Sequence, residues 1–357
     1  MAEHKADPQE KDRSGSEHQF VRRVLIVLGL AALFFLVWQL RMLLLMLFGA
    51  IVIASIFRAV ADAICRFTRL PPALCTALSV ILVLGVIGSL AAMFGAHIAQ
   101  QLATLRETLP VAWRELEARI GDIGLSEQLD RLVATITTPA GGSLTGFGRA
   151  LLSIGSGVAD LVVVIFAGIY LATQPNFYRV GAIKLVPPAR RKVAAEAMLE
   201  SERALRLWLK GQAIAMVVVG CLTGIGLWAI GMPSALTLGL LAGLLEFIPF
   251  AGPILAAIPA VLLALALSPE LALWVVLLYL AVQQFEGNLL TPLVQQYAVD
   301  LPGAVLLFSL IGFGTLFGTL GVVLAAPLAV VTLVLVKRLY VIETLNTDTP
   351  IPGETKT

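Results

Sequence analysis

Apolar and polar positions fall in long blocks along this chain rather than in short alternation. Residues 24–40 read VLIVLGLAALFFLVWQL; a second apolar block covers 42–57 after the lone Arg41, and a third covers 73–96 behind Pro71-Pro72. Blocks 150–172 and 211–230 follow. A membrane-crossing helix needs about 20 mostly apolar residues, so each block predicts a transmembrane helix. Region 234–286 is equally apolar but is broken by Pro249, Pro253, Pro259 and Pro269. Region 303–336 is broken by Gly312, Gly314, Gly318, Gly321 and Pro327. Non-helical backbone inside a bilayer persists only where protein or water satisfies its polar groups, so these breaks predict a lined cavity and gating hairpins. Segments 234–248 and 254–267 are short for straight spans, and a hairpin folding back at FIPFAGP accommodates them. The expected fold is an all-α integral membrane protein of about eight crossings, with broken, re-entrant hairpins.

The two broken regions match each other. Gly252 opens GPILAAIPAVLL and Gly321 opens GVVLAAPLAVVT: a glycine, three residues, a double alanine, a nearby proline, then a β-branched run. Each follows a more regular helix, 211–230 and 271–286. The first hairpin is expected to enter from outside and the second from inside, which makes them candidate inverted repeats, as in secondary transporters. GxxxG pairs at Gly220/Gly224, Gly239/Gly243 and Gly314/Gly318 are expected to serve close helix packing.

The polar blocks set the orientation. Lys5, Lys11, Arg13, Arg22 and Arg23 precede the first span; Arg58, Arg66 and Arg69 lie between the second and third. Arg179, Lys184, Arg190, Arg191, Lys192, Arg203, Arg206 and Lys210 follow the fourth, and Lys337 and Arg338 end the last apolar run. Basic residues stay on the cytoplasmic side, so these regions and both termini are expected there. Segment 98–149 mixes both signs and is expected outside. Its Leu102, Leu105, Leu109, Trp113, Leu116 and Ile120 recur at helical steps. That stripe would dock on the membrane surface, on a neighbouring copy in a homo-oligomer, or on its own protomer. The organisation that follows is a disordered cytoplasmic tail (1–20), three spans (21–97), an outer amphipathic region (98–149), a fourth span (150–172), a cytoplasmic loop and helix (173–210), a core with broken hairpins (211–340) and a second tail (341–357). The first span lacks a small-residue cleavage site and is read as a retained anchor.

Composition agrees with a lipid-facing surface. Of 357 residues, 59% are hydrophobic and only 13% charged, with a mean hydropathy of +0.93. A soluble chain of this length needs more polar cover. A net charge of +2 offers nucleic acid no bulk attraction. The three cysteines, Cys65, Cys75 and Cys221, suit neither a disulfide framework nor a metal site and read as small apolar residues. His4, His18 and His97 have no metal-ligand neighbours, and no phosphate-binding loop or hydrolase motif occurs, so no cofactor, metal or catalytic group is expected.

The polar residues inside apolar sequence are the candidate chemistry. Glu246 has apolar sequence on both sides. A carboxylate at the centre of a spanning helix costs roughly 2.5–3.5 kcal/mol on insertion scales, so a proton, cation, partner or watery cavity must compensate. Either Glu246 sits mid-membrane or it reaches the headgroup region at a hairpin tip beside Pro249. Gln283, Gln284, Glu286 and Asn288 end the run 271–282 ahead of Pro292, as a cavity lining or an ordinary helix terminus. Gln212, beside Gly211, is a weaker candidate of the same kind.

The run YLATQPNFYRVGAIKLVPPARR, then WLKGQ, then TGIGLWAIGMPSALTLGLLAGLLEFIPFAGPILAAIPA resembles the autoinducer-2 exporter family of bacterial membrane proteins. Downstream, QQFEGNLLTPLVQQYAVDLPGAVLLFSLIGFGTLFGTLGVVLAAPLAVV extends the match, which is continuous over roughly 150–336. One departure is Gln295-Gln296, where members often carry a glycine shortly after the proline matching Pro292. The resemblance implies about eight transmembrane helices in the bacterial inner membrane and a carrier role. Members are associated with export of autoinducer-2 and others with sodium/proton antiport. Three functions are therefore carried forward: an exporter of a small polar solute coupled to a proton or cation, a sodium/proton antiporter, and a non-transporting membrane scaffold.

Overall fold

The computed structural model describes residues 8–89, 92, 158–292, 301–347 and 349. All regular elements among them are helical: α1 (Pro8–Gln39), α2 (Arg41–Thr68), α3 (Pro72–Ser89), α4 (Val158–Thr173), α5 (Pro175–Lys184), α6 (Arg191–Ala229), α7 (Ala235–Leu245), α8 (Ala251–Leu267), α9 (Pro269–Phe285) and α10 (Gly303–Leu335). Single π-helical turns extend α9 over Glu286–Leu290 and α10 over Val336–Ile342. Among the described residues six helices are long and apolar enough to cross a membrane, and the α4–α5 pair, bent by 92°, adds a seventh candidate. The shorter apolar helices α7 and α8 are the two arms of the expected hairpin. The outer amphipathic stripe at 102–120, His97 and Gln295-Gln296 lie outside the described residues.

The chain divides into two compact units, 1–48 and 49–357. In the first, the described backbone is helical from Pro8 on, within the segment 1–20 expected to be a disordered tail. Phe34 and Trp38 stack with centroids 6.4 Å apart, and the Arg41 guanidinium lies 4.2 Å from the Trp38 ring centre. That cation–π contact accommodates the one charge between two apolar blocks.

In the second unit the central element is α6, 39 residues long. At 1.5 Å per residue it measures about 58 Å, roughly twice a bilayer core, so its length exceeds one span. Its charged first half ends at Lys210 and its apolar second half packs against α7 through glycines. A Cβ on Gly239 would strike the backbone of Gly224 and Gly220, and one on Gly243 would strike Met216 and Gly220. Two of the three GxxxG pairs are thus a single antiparallel crossing in which backbones touch. Beyond that crossing, Leu227, Met232, Ala235 and Leu238 bury with Ala260, Leu263, Ala264, Ala272 and Val275 of α8 and α9. On another side Ala54 and Phe57 of α2 bury with Ala172 of α4, covered by Val80 and Val83 of α3.

Both expected hairpins are present. Between α7 and α8 the backbone reverses at Phe250 (φ 63°, ψ −48°). Gly252 then sits so close to the Leu245 carbonyl that no Cβ fits. The backbone of α10 leaves helical geometry at Gly318 (φ 66°, ψ −145°), and a Cβ on Gly321 would collide with the Phe313 carbonyl. On a straight helix, residues eight apart are separated by about 12 Å, so α10 must fold back on itself. The reversal removes a length problem too: 33 straight residues would span about 50 Å.

The hairpins point in opposite directions. The first has its tip at Glu246, whose carbonyl accepts from Gln212, two residues past the charged half of α6. The second has its base at that charged end, where Arg338 pairs with Glu196 and Glu200 of α6. About 20 residues, or about 30 Å of helix, separate Arg338 from the break at Gly318. The inverted arrangement anticipated from GPILAAIP and GVVLAAPL is therefore the one observed.

The expectation for the cysteines changes. Cys65 and Cys75 are joined in a disulfide with Cα atoms 5.7 Å apart, whereas no disulfide was expected from the sequence; Cys221 is free. The reason is local. A helix–turn–helix places the last turn of α2 beside the first turn of α3, so ten residues of separation bring the two side chains together.

Candidate functional site

Glu246 ends α7 and is 2% exposed. Its burial follows from the hairpin: the chain must reverse over Phe247–Phe250, and Gly252 lets α8 restart against the end of α7. Phe247 packs edge-on against Trp208 of α6, with centroids 5.8 Å apart. One helical turn beyond Trp208, Gln212 donates from Nε2 to the Glu246 backbone carbonyl at 2.6 Å. Two consecutive tip residues are thus held by one face of α6.

The partner of the Glu246 side chain comes from α9. Glu286 begins the π-helical turn, and its carboxyl is the charged neighbour of the Glu246 carboxyl. Gln283, one turn earlier, donates from Nε2 to Glu286 Oε2 at 2.8 Å. The Glu246 Oε2 atom is buried and meets no donor. Ionised carboxylates only accept hydrogen bonds, so two of them in contact need a proton or a cation between them. A π-helical turn is a frequent local distortion at functional sites, and here it falls where Glu286 meets the hairpin tip.

Of the six pathway residues expected from the sequence, Glu246, Gln212, Glu286 and Gln283 come together. The other two do not join them. Asn288 donates to Gln284 Oε1 at 3.4 Å on the exposed side of the helix. The expected gating residues fall into two sets. Pro249, Gly252 and Pro253 form the first reversal. Gly312, Gly314, Gly318 and Gly321 form the second, where Gly314 faces Val322 across the fold-back. Pro327 is buried inside the returning arm of α10, beyond the break.

Two site residues were missed by the sequence reading. Tyr279 donates its hydroxyl to the Ala256 carbonyl at 3.3 Å, tying α9 to the returning arm of the first hairpin. Tyr279, Gln283 and Glu286 recur at steps of four and three, the spacing of one helix face, and that period was the available signal. Trp208 precedes Gln212 by four residues on the same face of α6.

Ion pairs gather at the charged end of the second unit. Arg58 and Asp62 of α2 pair with Glu202 and Arg206 of α6, each at 3.2 Å, and Arg206 also pairs with Glu202 at 2.9 Å. Arg338 adds Glu196 and Glu200. Three basic segments that the sequence places on one side of the membrane therefore share one end of the bundle. Among the described residues no group of three or more His, Cys, Asp or Glu side chains could hold a metal ion.

Comparison with known proteins agrees with this architecture. The family model described as "AI-2E family transporter" matches residues 24–340. The protein YueF of Bacillus subtilis is 25% identical over 298 residues, covering 79% of this chain and 81% of its own. The AI-2 transport protein TqsA of Escherichia coli K12 is 24% identical over 293 residues, covering 79% and 82%. YrrI of Bacillus subtilis is 26% identical over 204 residues, and this chain spans about 58% of its length. A multi-pass helical bundle with opposed broken hairpins, matched to that family over most of its length, belongs to the AI-2E family of transporters.

Proposed function

We propose that this chain is a secondary carrier of the bacterial inner membrane that moves a small polar solute outward, an autoinducer-2-like signal, in exchange for a proton or monovalent cation. The observation that carries the reading is the buried Glu246 carboxyl at the tip of a broken hairpin, beside Glu286 of α9. An intramembrane carboxyl is a candidate ion-pathway group. A site at a helix break between inverted elements is the place where alternating access exposes cargo to one side and then the other. The basic residues at the ion-paired end favour a cytoplasmic position for that end and for both termini. The name of TqsA supplies the solute class, and only as an analogy of family.

A second reading has its own support. The side chains converging on Glu246 are two carboxyls and two amides, a donor set rich in oxygen that suits a hard monovalent cation. Under that reading the chain is a sodium/proton antiporter.

The test is flux in proteoliposomes containing the purified full chain, loaded with autoinducer-2 or with sodium, under an imposed pH gradient. Gradient-driven flux of autoinducer-2, lost in Glu246→Gln, is the expected outcome. Sodium flux alone, lost in the same variant, selects the antiporter. No flux of either from folded protein would count against both and favour a scaffold.

A further inference from the structure

We propose that α5 lies in the plane of the bilayer surface, with Phe177, Tyr178 and Val180 seated at the headgroup boundary and Lys184, Arg190 and Lys192 holding anionic lipid headgroups. The fourth span, α4, ends at Thr173. Its Ala172 packs beside Phe57 of α2. The residue after Phe57 is Arg58, which pairs with Glu202. Apolar packing gives way to charge at that level, so the bilayer boundary lies there. At Gln174 the chain turns by 92° into α5. A helix perpendicular to a span, starting where the span ends, runs along the membrane surface.

The faces of α5 agree with that placement. None of its ten residues is buried. Pro175, Arg179 and Ile183, at four-residue steps, are its half-buried positions and mark the face toward the protein. The opposite face carries Phe177 (70% exposed), Tyr178 (40%) and Val180 (46%), and Leu185 just beyond is 87% exposed. Large apolar side chains on a helix at this level are what an interfacial helix inserts among headgroups and upper acyl chains. Tyr178 favours that zone because its ring has an apolar body and a polar hydroxyl.

Charge identifies the lipid. Positions 174–195 hold five basic residues, Arg179, Lys184, Arg190, Arg191 and Lys192, and no acidic one. Two of the five have local duties. Arg179 donates to Asn176, and Arg191 folds back onto the carbonyls of Val186 and Lys184, fixing the turn into α6. Lys184, Arg190 and Lys192 are exposed. The acidic groups that follow on α6, Glu196, Glu200 and Glu202, are engaged by Arg338, Arg58 and Arg206. A cationic row beside an inserted apolar face is the arrangement that recruits anionic headgroups.

The test uses the full chain in lipid nanodiscs. A photo-crosslinking benzoylphenylalanine replaces Phe177, and the products are read by mass spectrometry. The expected product is a lipid adduct. A covalent dimer, an adduct to another protein, or no adduct would overturn the placement. In parallel, native mass spectrometry counts phosphatidylglycerol against phosphatidylcholine retained from mixed discs. Lys184→Gln/Arg190→Gln/Lys192→Gln is expected to lower the preference for phosphatidylglycerol several-fold with thermal unfolding unchanged, because Arg191 and the turn are left intact. An unchanged preference would overturn the headgroup assignment.

Discussion

The two hairpins solve one backbone problem with one device, yet the first also buries a carboxylate at its tip. In each, an incoming helix ends, a residue adopts positive φ, and a glycine two or three positions later lets the outgoing helix restart against a carbonyl of the incoming one. The first break falls at Phe250 and leaves Glu246 buried against Glu286. The second falls at Gly318, and between Phe313 and Gly321 the only side-chain hydroxyls belong to Thr315 and Thr319. Thr315 spends its hydroxyl on the Gly312 carbonyl in its own helix. Reversal of the chain and burial of a carboxylate are therefore separable: both hairpins reverse on glycines, and the first also buries Glu246 at its tip.

The sharpest way to break the comparison is to fill the two close approaches. Gly252→Ala and Gly321→Ala each put a methyl group into a backbone carbonyl, Leu245 in one case and Phe313 in the other. Backbone cannot rotate away as a side chain can, so the cost should exceed the usual ~1–3 kcal/mol of overpacking. Both variants are expected to fail in yield of monodisperse protein or to show a large drop in melting temperature. Gly312→Ala, which meets nothing within 4 Å on a helix, is the control and should be neutral or slightly stabilising. If one glycine tolerates alanine and the other does not, the hairpins are not equivalent.

The next effects are smaller and opposite in sign. Gly318 has φ 66° and ψ −145°, a conformation open to glycine and strained for other residues. Gly318→Ala should destabilise by about 1–3 kcal/mol without any collision. Phe250 already bears positive φ as a non-glycine residue, and its ring is half exposed. Phe250→Gly should relieve roughly 1 kcal/mol of that strain, less whatever contact the ring makes. Thermal unfolding of the pair in one detergent reads both signs. A destabilised Phe250→Gly would mean that the ring, rather than the reversal, holds the first tip in place.

The legible part of this architecture is the part encoded locally. Continuous apolar runs announced the spans, and GPILAAIP against GVVLAAPL announced the inverted pair, because a glycine required by a close approach leaves a mark in sequence. Gln283 and Glu286 could be paired for the same reason, being one turn apart. What stayed hidden depends on tertiary neighbours. Gln212 reaches Glu246 over 34 positions, and the Arg58–Glu202 and Arg338–Glu196 pairs join residues 144 and 142 apart. No local period encodes such distances. The Cys65–Cys75 bond was hidden differently: the thiols were weighed as a set of three, whereas the turn between α2 and α3 selects two of them.

The smallest effect concerns what holds the ends of the hairpins rather than their tips. Arg206 bridges Asp62 and Glu202, but its side chain is 26% exposed and Asp62 is 66% exposed, so solvent screens much of the attraction. Exposed ion pairs of this kind contribute about 0.2–1 kcal/mol. Arg338 is less exposed at 19% and sits at the base of the second hairpin between Glu196 and Glu200. Removing Arg338 also takes one guanidinium from two carboxylates at once, Glu196 and Glu200. Arg206→Met should therefore lower the melting temperature slightly, by an amount that shrinks as salt is raised toward 1 M, where the screening length falls to about 3 Å. Arg338→Met should lower it more and keep more of its effect in salt. The reverse order would mean that the ties between α2 and α6, not the base of the second hairpin, anchor the charged end.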